Sequence, residues 1–248
     1  AVLLDHKRFV KNRGNVLAPD DLEVRPSRST PELDKFIYGH MLNEDSDIHQ
    51  RLRGLVVKAF TPRMVEGLQE RIQTIADELL ACVQDQRETE LLEAYAFPLP
   101  IIVIAELLGI PSDDRNHFRQ WSDALIRPPH DPNRDRNTYL QLMQEYADYL
   151  RHIFIEKRKH LQNDLITGLL QVEEAGEKLN EEELFSMVSL LIVAGHETTV
   201  NLISNGTLAL LQHPDQLEKL KNGPSLTPSG IEEMLRYDGP LERATMRW

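Results

Sequence analysis

Residues 188–200 read Val-Ser-Leu-Leu-Ile-Val-Ala-Gly-His-Glu-Thr-Thr-Val, and this stretch decides the fold. It lies within a proline-free segment that begins at Asn180 and runs to Pro214. At about 1.5 Å per residue, the segment predicts a helix of about 50 Å. Glu183 follows Asn180 by three residues, which is a variant of the capping box found at helix N-termini. We therefore expect one unusually long helix.

Apolar residues recur at helical spacing on both sides of this segment. Thr61 followed by Pro62 is the pattern of an N-cap with proline at the first helical position. Two proline-containing polar segments, 16–31 and 127–134, are expected to be long loops. The predicted fold class is mainly α, with helices over 2–9, 49–60, 62–84, 101–108, 113–126, 135–160, 164–174 and 229–237.

Composition excludes several classes of protein. The chain has 248 residues, with 40 acidic and 28 basic side chains and a net charge of -12. That balance argues against nucleic-acid binding, which needs clustered Lys and Arg. No apolar run reaches about 18 residues, the length that crosses a bilayer, and the N-terminus lacks the ordered regions of a signal peptide. We therefore expect a cytoplasmic protein with no nucleic-acid or membrane partner.

Cys82 is the only cysteine in the sequence. A single cysteine excludes an intrachain disulfide, a CxxC redox pair and a cysteine-based zinc site. A reducing cytoplasm is the default compartment for such a chain. Because Cys82 falls in the apolar repeat of the helix predicted over 62–84, we expect it to be buried as packing filler.

The middle of the long helix breaks the local rules of helix formation. Gly195 costs about 1 kcal/mol against alanine in a helix interior, and Glu197 and Thr198 place an acid and a hydroxyl within an apolar stretch. Such exceptions are typical of functional sites. Gly195 would let a flat ligand approach the backbone. Thr198 is expected to donate a hydrogen bond to the carbonyl four residues earlier and to loosen the helix.

Other chemistries fit this segment poorly. His196 and Glu197 begin an HExxH zinc signature, but Val200 stands where the second histidine is required. The sequence also contains no Walker A, GxGxxG or GxSxG motif. That absence argues against enzymes built on a phosphate cradle or a nucleophile elbow.

Two pairs of charged residues lie at helical spacing elsewhere in the chain. His49 and Arg53 are four residues apart and share a helix face, which suits a carboxylate-bearing ligand. An ordinary solvated face is the alternative. Glu233 and Arg236 are three residues apart, and a local ion pair between them is worth at most about 0.5 kcal/mol.

The centre of the long helix and the two charged pairs, taken together in their order along the chain, resemble the motifs of a soluble bacterial cytochrome P450. Residues 194–199 (Ala-Gly-His-Glu-Thr-Thr) are similar to the AGxET segment of helix I, and residues 233–236 (Glu-Met-Leu-Arg) to the ExxR of helix K. Residues 49–53 (His-Gln-Arg-Leu-Arg) and 58–63 (Lys-Ala-Phe-Thr-Pro-Arg) are similar to the HxxLR of helix C and the AFTPR that follows it. The resemblance implies the helical part of the P450 fold, from about helix B to helix K.

The same resemblance implies a haem b cofactor lying against the long helix. Ala194 would pack on the haem face, and Gly195 would make room there for dioxygen. Thr198 would also contact the haem. The haem propionates would be held by three cations, His49, Arg53 and Arg247.

Catalytic and structural roles are implied for further residues. Glu197 and Thr198 would be the acid–alcohol pair that relays protons to iron-bound dioxygen. Glu233 and Arg236 would be structural. The loops 16–31 and 127–134 would line or cover the substrate pocket.

The implied activity is that of a monooxygenase in bacterial secondary metabolism. One oxygen atom of O2 would be inserted into an organic substrate, with electrons from a ferredoxin or flavodoxin-type donor. An acidic donor would meet either a basic patch or an ordinary solvated face, formed by Arg51, Lys58, Arg63 and Arg71.

The sequence departs from the family at the iron ligand. The family's Phe-x-x-Gly-x-x-x-Cys-x-Gly loop does not occur, Cys82 matches no such motif, and the N-terminal strands are missing. We therefore expect residues 1–248 to be a single incomplete P450 domain, truncated at both ends, without a metal ligand and inactive by itself. The alternative is a non-catalytic helical protein, derived from the same scaffold, that binds a small molecule or haem.

Overall fold

The computed structural model describes residues 10–11, 36–37, 39–126, 136–173 and 176–241. The helix predicted over 2–9, the loops predicted over 16–31 and 127–134, and Arg247 lie outside the described residues. Within the described ranges the chain forms helices and no β-strand, which confirms the mainly α fold class.

Short turns of other helix types lie between some of the α-helices. Single turns of 3-10 helix lie at Met41–Asn43, Ser112–Asp114 and Pro224–Leu226, and a π-helical turn lies at Leu92–Ala96. The α-helices are α1 Ser46–Ala59, α2 Pro62–Ala81, α3 Pro98–Leu108, α4 Arg115–Ile126, α5 Arg136–Lys159, α6 Leu165–Gln171, α7 Glu181–Gln212, α8 Pro214–Asn222 and α9 Thr227–Tyr237.

Each predicted helix that falls on described residues is present, with ends that differ by three residues at most. Helix α8 was not predicted, because its apolar repeat is short. Its boundaries are nevertheless marked in the sequence. The first turn contains Pro214 and Asp215. The last turn contains Lys219 and Lys221, and Gly223 follows the helix.

Both predicted helix starts are confirmed by their capping bonds. The Thr61 hydroxyl oxygen accepts a hydrogen bond from the Met64 N–H at 3.3 Å. Asn180 Oδ1 accepts from the Glu183 N–H at 2.9 Å, and Glu183 Oε2 accepts from the Asn180 N–H at 3.0 Å. These bonds satisfy donors that a helix N-terminus otherwise leaves without partners.

The chain divides into two compact units. The first unit comprises the described residues within 10–68 and 105–193, and the second comprises residues 69–104 and 194–241. Helix α7 therefore contributes residues 181–193 to the first unit and residues 194–212 to the second.

In the first unit, buried aromatic side chains hold the N-terminal half of α7 against α5. The rings of Tyr146 and Phe185 meet edge to face with centroids 5.3 Å apart, and the Tyr146 hydroxyl and Ser189 Oγ share a hydrogen bond of 2.9 Å. Burial raises the pKa of Tyr146, so its phenol stays neutral. Other fully buried side chains of this unit include Leu52, Leu55, Leu108, Phe118, Met143, Leu150, Phe154, Leu165 and Ile166.

In the second unit, α7 and α9 pack closely at a glycine. A Cβ atom on Gly206 would lie 2.7 Å from Met234 Sδ. The Asn201 side-chain amide donates to the Pro240 carbonyl at 3.3 Å and ties the segment after α9 to α7. The buried side chains of this unit include Ile75, Ala96, Ile101, Ile104, His196 and Val200.

Contrary to the expectation from the sequence, α7 is apolar enough to cross a membrane by length and composition alone. In the structure, 44% of its most apolar 18-residue window is buried within the protein. The core helix of a soluble protein meets the same length and composition criteria, so packing accounts for part of this apolar character.

The prediction that Cys82 is buried is wrong, because its side chain is exposed. Helix α2 ends at Ala81, earlier than predicted, and a turn follows it. The Val83 N–H donates to the Leu80 carbonyl at 3.1 Å in that turn. The Cys82 N–H still donates to the Glu78 carbonyl at 3.3 Å, as in a helix, but this end of α2 is uncovered, since Leu80 is 50% exposed.

A buried ion pair in the first unit joins the end of α5 to the start of α6. Lys157 Nζ lies 2.5 Å from Asp164 Oδ2, and both side chains are 5% exposed. Asp164 also caps α6 by accepting from the Thr167 N–H at 2.8 Å. Gly109, with φ of +69°, lies against this pair: a Cβ there would be 2.5 Å from both Asp164 Oδ2 and Lys157 Nζ. Only glycine combines that conformation with that space.

We predict that Gly109→Ala lowers the free energy of unfolding by at least about 2 kcal/mol, since left-handed backbone alone costs alanine about 1–2 kcal/mol and the new methyl displaces a buried charge. Gly67→Ala is the matched control. Nothing lies within 4 Å of a Cβ at Gly67, in the interior of α2. That change should stabilise the protein by about 0.5–1 kcal/mol. Urea unfolding measures both, and equal effects of the two variants would contradict the assignment.

Candidate functional site

The centre of α7 carries the side-chain hydrogen bond predicted from the sequence. Thr198 Oγ1 donates to the Ala194 carbonyl oxygen at 3.0 Å, which confirms the prediction. Thr199 Oγ1 donates in the same way to the Gly195 carbonyl at 3.3 Å. Each hydroxyl shares a carbonyl that also serves the backbone ladder of the helix, and this sharing weakens the ladder. The helix is nonetheless continuous from Glu181 to Gln212.

Ala194 and Thr198 lie four residues apart and share one face of α7, which we call the front face. Ala194 is exposed, and Thr198 and Glu197 are half-buried. At about 100° per residue, Glu197 lies to one side of this face and His196 on the opposite side of the helix. Residues 194–198 therefore present a methyl group, a hydroxyl and a carboxylate on or beside one face.

His196 is buried, with 3% of its surface exposed. Its ring meets the Phe97 ring edge to face, with centroids 4.4 Å apart and planes at 80°. Within the described residues, no group of three His, Cys, Asp or Glu side chains is placed to hold a metal ion. His196 is therefore a packing group on the side of α7 opposite the front face.

Gly195 lies where α7 packs on α3. A Cβ on Gly195 would come 3.3 Å from Ile104 Cδ1, which is tighter than ordinary contact. The missing side chain therefore allows α3 and α7 to approach each other closely. The role of Gly195 in admitting a flat ligand or dioxygen stays a prediction, and the structure adds a packing role beside it.

His49 and Arg53 lie on α1, in the first unit. The His49 Nδ1–H donates to the Met41 carbonyl at 2.8 Å, since a carbonyl oxygen only accepts. The other ring nitrogen, Nε2, is then left for a ligand. Arg53 is exposed, and a guanidinium can donate two parallel hydrogen bonds to a carboxylate.

Arg51, on the same helix, is occupied by two carboxylates. Its guanidinium donates two hydrogen bonds to Glu183 and lies 3.3 Å from Glu177 Oε2. The hydrogen bonds that Arg51 donates to the Glu183 carboxylate raise the pKa of Arg51. Arg51 therefore connects α1 to the capping box of α7, which leaves less of its charge for the basic patch considered from the sequence. Arg71, from the same set, lies 3.7 Å from Glu78.

Glu233 and Arg236 form the local ion pair predicted on α9. Arg236 Nε donates to Glu233 Oε2 at 2.7 Å, and Nη2 donates to Oε1 at 2.5 Å. The hydrogen bonds that Arg236 donates lower the pKa of the Glu233 carboxyl group. Both side chains are exposed, so the contact is a solvated, bidentate pair.

The predicted site residues thus fall into groups within each unit. Residues 194–198 of α7 form one group in the second unit, and His49 with Arg53 forms another in the first. Arg247 lies outside the described residues. Three contributors were missed from the sequence, because only tertiary packing brings them to the site. They are Met41 against His49, Phe97 against His196 and Ile104 against Gly195.

The chain is similar to known proteins over nearly all of its length. A family model described as cytochrome P450 matches residues 114–223. A cytochrome P450 of Bacillus subtilis is 49% identical over 247 residues, 99% of this chain and 59% of that protein. Cytochrome P450 monooxygenase PikC of Streptomyces venezuelae is 43% identical over 100% of this chain and 56% of that protein.

Among solved structures, the cytochrome P450 PksS of the Bacillus subtilis bacillaene polyketide synthase matches with a TM-score of 0.83. That likeness has 39% sequence identity and covers 96% of this chain and 57% of the solved chain. The chain therefore spans less than two thirds of the length of the relatives it matches.

We predict that replacing Arg51 and replacing Arg53, both on α1, have different effects on the free energy of unfolding. Arg51→Ala should lower the free energy of unfolding by about 1 kcal/mol, because it leaves Glu183 and Glu177 without their shared cation. Arg53→Ala is the matched control and should stay within about 0.5 kcal/mol of wild type. Urea unfolding monitored by circular dichroism measures both. Equal losses would show that Arg51 does not support the start of α7.

Proposed function

Because the chain belongs to the cytochrome P450 family, we propose that the complete product of its gene is a haem-thiolate monooxygenase. The proposed reaction inserts one oxygen atom of O2 into an organic substrate, with electrons from a redox partner. Identities of 43% and 49% to proteins named as cytochromes P450 support an enzyme over a non-catalytic binding protein.

The family implies a haem cofactor, and we propose haem b. The donor set of this chain suits its carboxylate tails: His49 has one ring nitrogen left for a ligand, and Arg53 is an exposed cation. Arg247 is proposed as the third cation. The exposed methyl of Ala194 suits contact with a flat, apolar ring.

The proposal assigns the iron-binding thiolate to a residue outside residues 1–248. Cys82 is exposed at the end of α2 and lies in no sequence resembling the family's ligand loop. Glu233 and Arg236 are proposed to be structural, as one bidentate pair.

When bound, the haem supplies the iron at which dioxygen is reduced and cleaved. The residues of this chain are proposed to handle the protons. The Thr198 hydroxyl donates its own hydrogen to the Ala194 carbonyl, so its oxygen lone pairs remain to accept a hydrogen bond from a ligand on the front face. Glu197, half-buried beside it, takes up a proton from solvent and passes it toward that face.

The remaining assignments concern context. A relative named as a polyketide biosynthesis cytochrome P450, 40% identical to this chain, supports an organic substrate of bacterial secondary metabolism. We propose a ferredoxin or flavodoxin-type electron donor, a cytoplasmic location, and a single P450 domain to which residues 1–248 belong. The observation that carries the proposal is the hydrogen bond from Thr198 to Ala194 beside Glu197, at the centre of the longest helix.

We predict that Thr198→Ala in the complete gene product uncouples oxygen use from product formation. Without the hydroxyl, protons are delivered less selectively, and more of the electrons reduce O2 to peroxide or water without forming product. Product formed per electron should fall by roughly tenfold, since a positioned proton donor is worth about 10²–10⁴ in rate. The ratio of product to electrons is obtained from the product yield, the O2 consumed in an oxygen electrode and the amount of electron donor oxidised.

Thr199→Ala is the matched control for that prediction. It removes a similar hydroxyl, bonded to the next carbonyl along, but on a position about 100° around the helix. Its product per electron should stay close to wild type. If Thr198→Ala retained full coupling, or if the two variants behaved alike, the proton-relay assignment would be wrong. A gene product that takes up no haem would overturn the proposed function itself.

A further inference from the structure

The side of α7 opposite the front face is anchored to α3 and the turn before it. His196 lies about 180° around the helix from the midpoint of Ala194 and Thr198. Its ring is 3% exposed and held edge-on against Phe97, the residue before α3 begins. This is an oriented contact between two rings, which restricts rotation of the helix more than contact between flexible aliphatic chains does.

A second contact on the flank of α7 supports the first. Because Gly195 has no side chain, Ile104 packs closely against the backbone of α7. A Cβ atom on residue 195 would lie only 3.3 Å from Ile104 Cδ1. Phe97 lies in the turn just before α3, and Ile104 lies on α3 itself. The two contacts on α7 come from consecutive residues, 195 and 196. Together the two contacts hold α7 in place beside residues 194–198, which form the candidate site.

The front of the helix needs such support. The hydroxyls of Thr198 and Thr199 compete with backbone N–H groups for the carbonyls of Ala194 and Gly195. Back-bonding of this kind bends and loosens helices. A loosened turn can rotate by small amounts, and an error of about 1 Å in the position of a catalytic group costs about 10²-fold in rate.

We infer that His196 is a positioning residue: its buried ring, held against Phe97, fixes the rotation of the α7 centre and thereby the placement of Glu197 and Thr198. The inference rests on the proposed function of that acid–alcohol pair. It assigns His196 no contact with substrate or cofactor. When the ring contact is lost, Glu197 and Thr198 are still present, but their side chains are shifted from their working positions.

The test compares four variants of the complete gene product. His196→Ala removes the ring, Phe97→Leu removes its partner while keeping an apolar side chain, and His196→Phe restores an aromatic edge. Leu220→Ala is the control, because Leu220 packs on Gly230 between α8 and α9 of the same unit. Product per electron is one readout. Amide hydrogen exchange across residues 194–199 is the other, and it needs no turnover.

We expect His196→Ala and Phe97→Leu to lower product per electron roughly threefold or more and to speed amide exchange in 194–199, with KM for substrate unchanged. His196→Phe should restore most of both values, and Leu220→Ala should change neither. Should His196→Ala fail to fold, Phe97→Leu decides the question. Wild-type exchange and coupling in Phe97→Leu, failure of His196→Phe to rescue, or the same losses in Leu220→Ala would each overturn the inference.

Failure of the proposed function gives a different result. In that case Thr198→Ala leaves product per electron unchanged, or no product forms at all. Exchange in residues 194–199 still responds to His196 and Phe97 if the ring contact fixes the helix.

Discussion

Competition for two carbonyl oxygens shapes the centre of this protein. The Ala194 and Gly195 carbonyls each accept a threonine hydroxyl in addition to serving the helix. The turn that results is weaker than ordinary helix, yet it lies in the middle of a 32-residue element. Packing from outside compensates, through Ile104 against Gly195 and Phe97 against His196. The exposed and half-buried groups on the front face depend on that support.

Charge is distributed in a related way. The chain is acidic overall, with a net charge of -12, and the structure pairs several cations with carboxylates. Lys157 is neutralised in the interior by Asp164, Arg51 binds Glu183 and Glu177, and Arg236 binds Glu233. The buried pair is the most consequential of these, because separating buried charges leaves one of them without a partner in a medium of low dielectric constant.

Helix positions followed well from local sequence, because capping residues and the 3.6-residue repeat act over a few neighbours. Asn180 with Glu183 and Thr61 with Pro62 behave as predicted. Burial was harder to predict. Cys82 is exposed, and on α2 Ile75 is 1% exposed while Val65 and Leu80 are 47% and 50% exposed. A repeat shows which residues share a face, but not what covers it.

The sequence by itself determined the helices, their caps and the identity of the polar groups at the centre of α7, since these depend on residues within about one helical turn of each other. Tertiary structure alone decided which charges are consumed and which remain for a ligand. Arg51 and Arg53 are two residues apart, and only the position of Glu183 distinguishes them. It also decided that Gly195 and His196 serve the contact with α3, because that contact joins residues about a hundred positions apart in the chain.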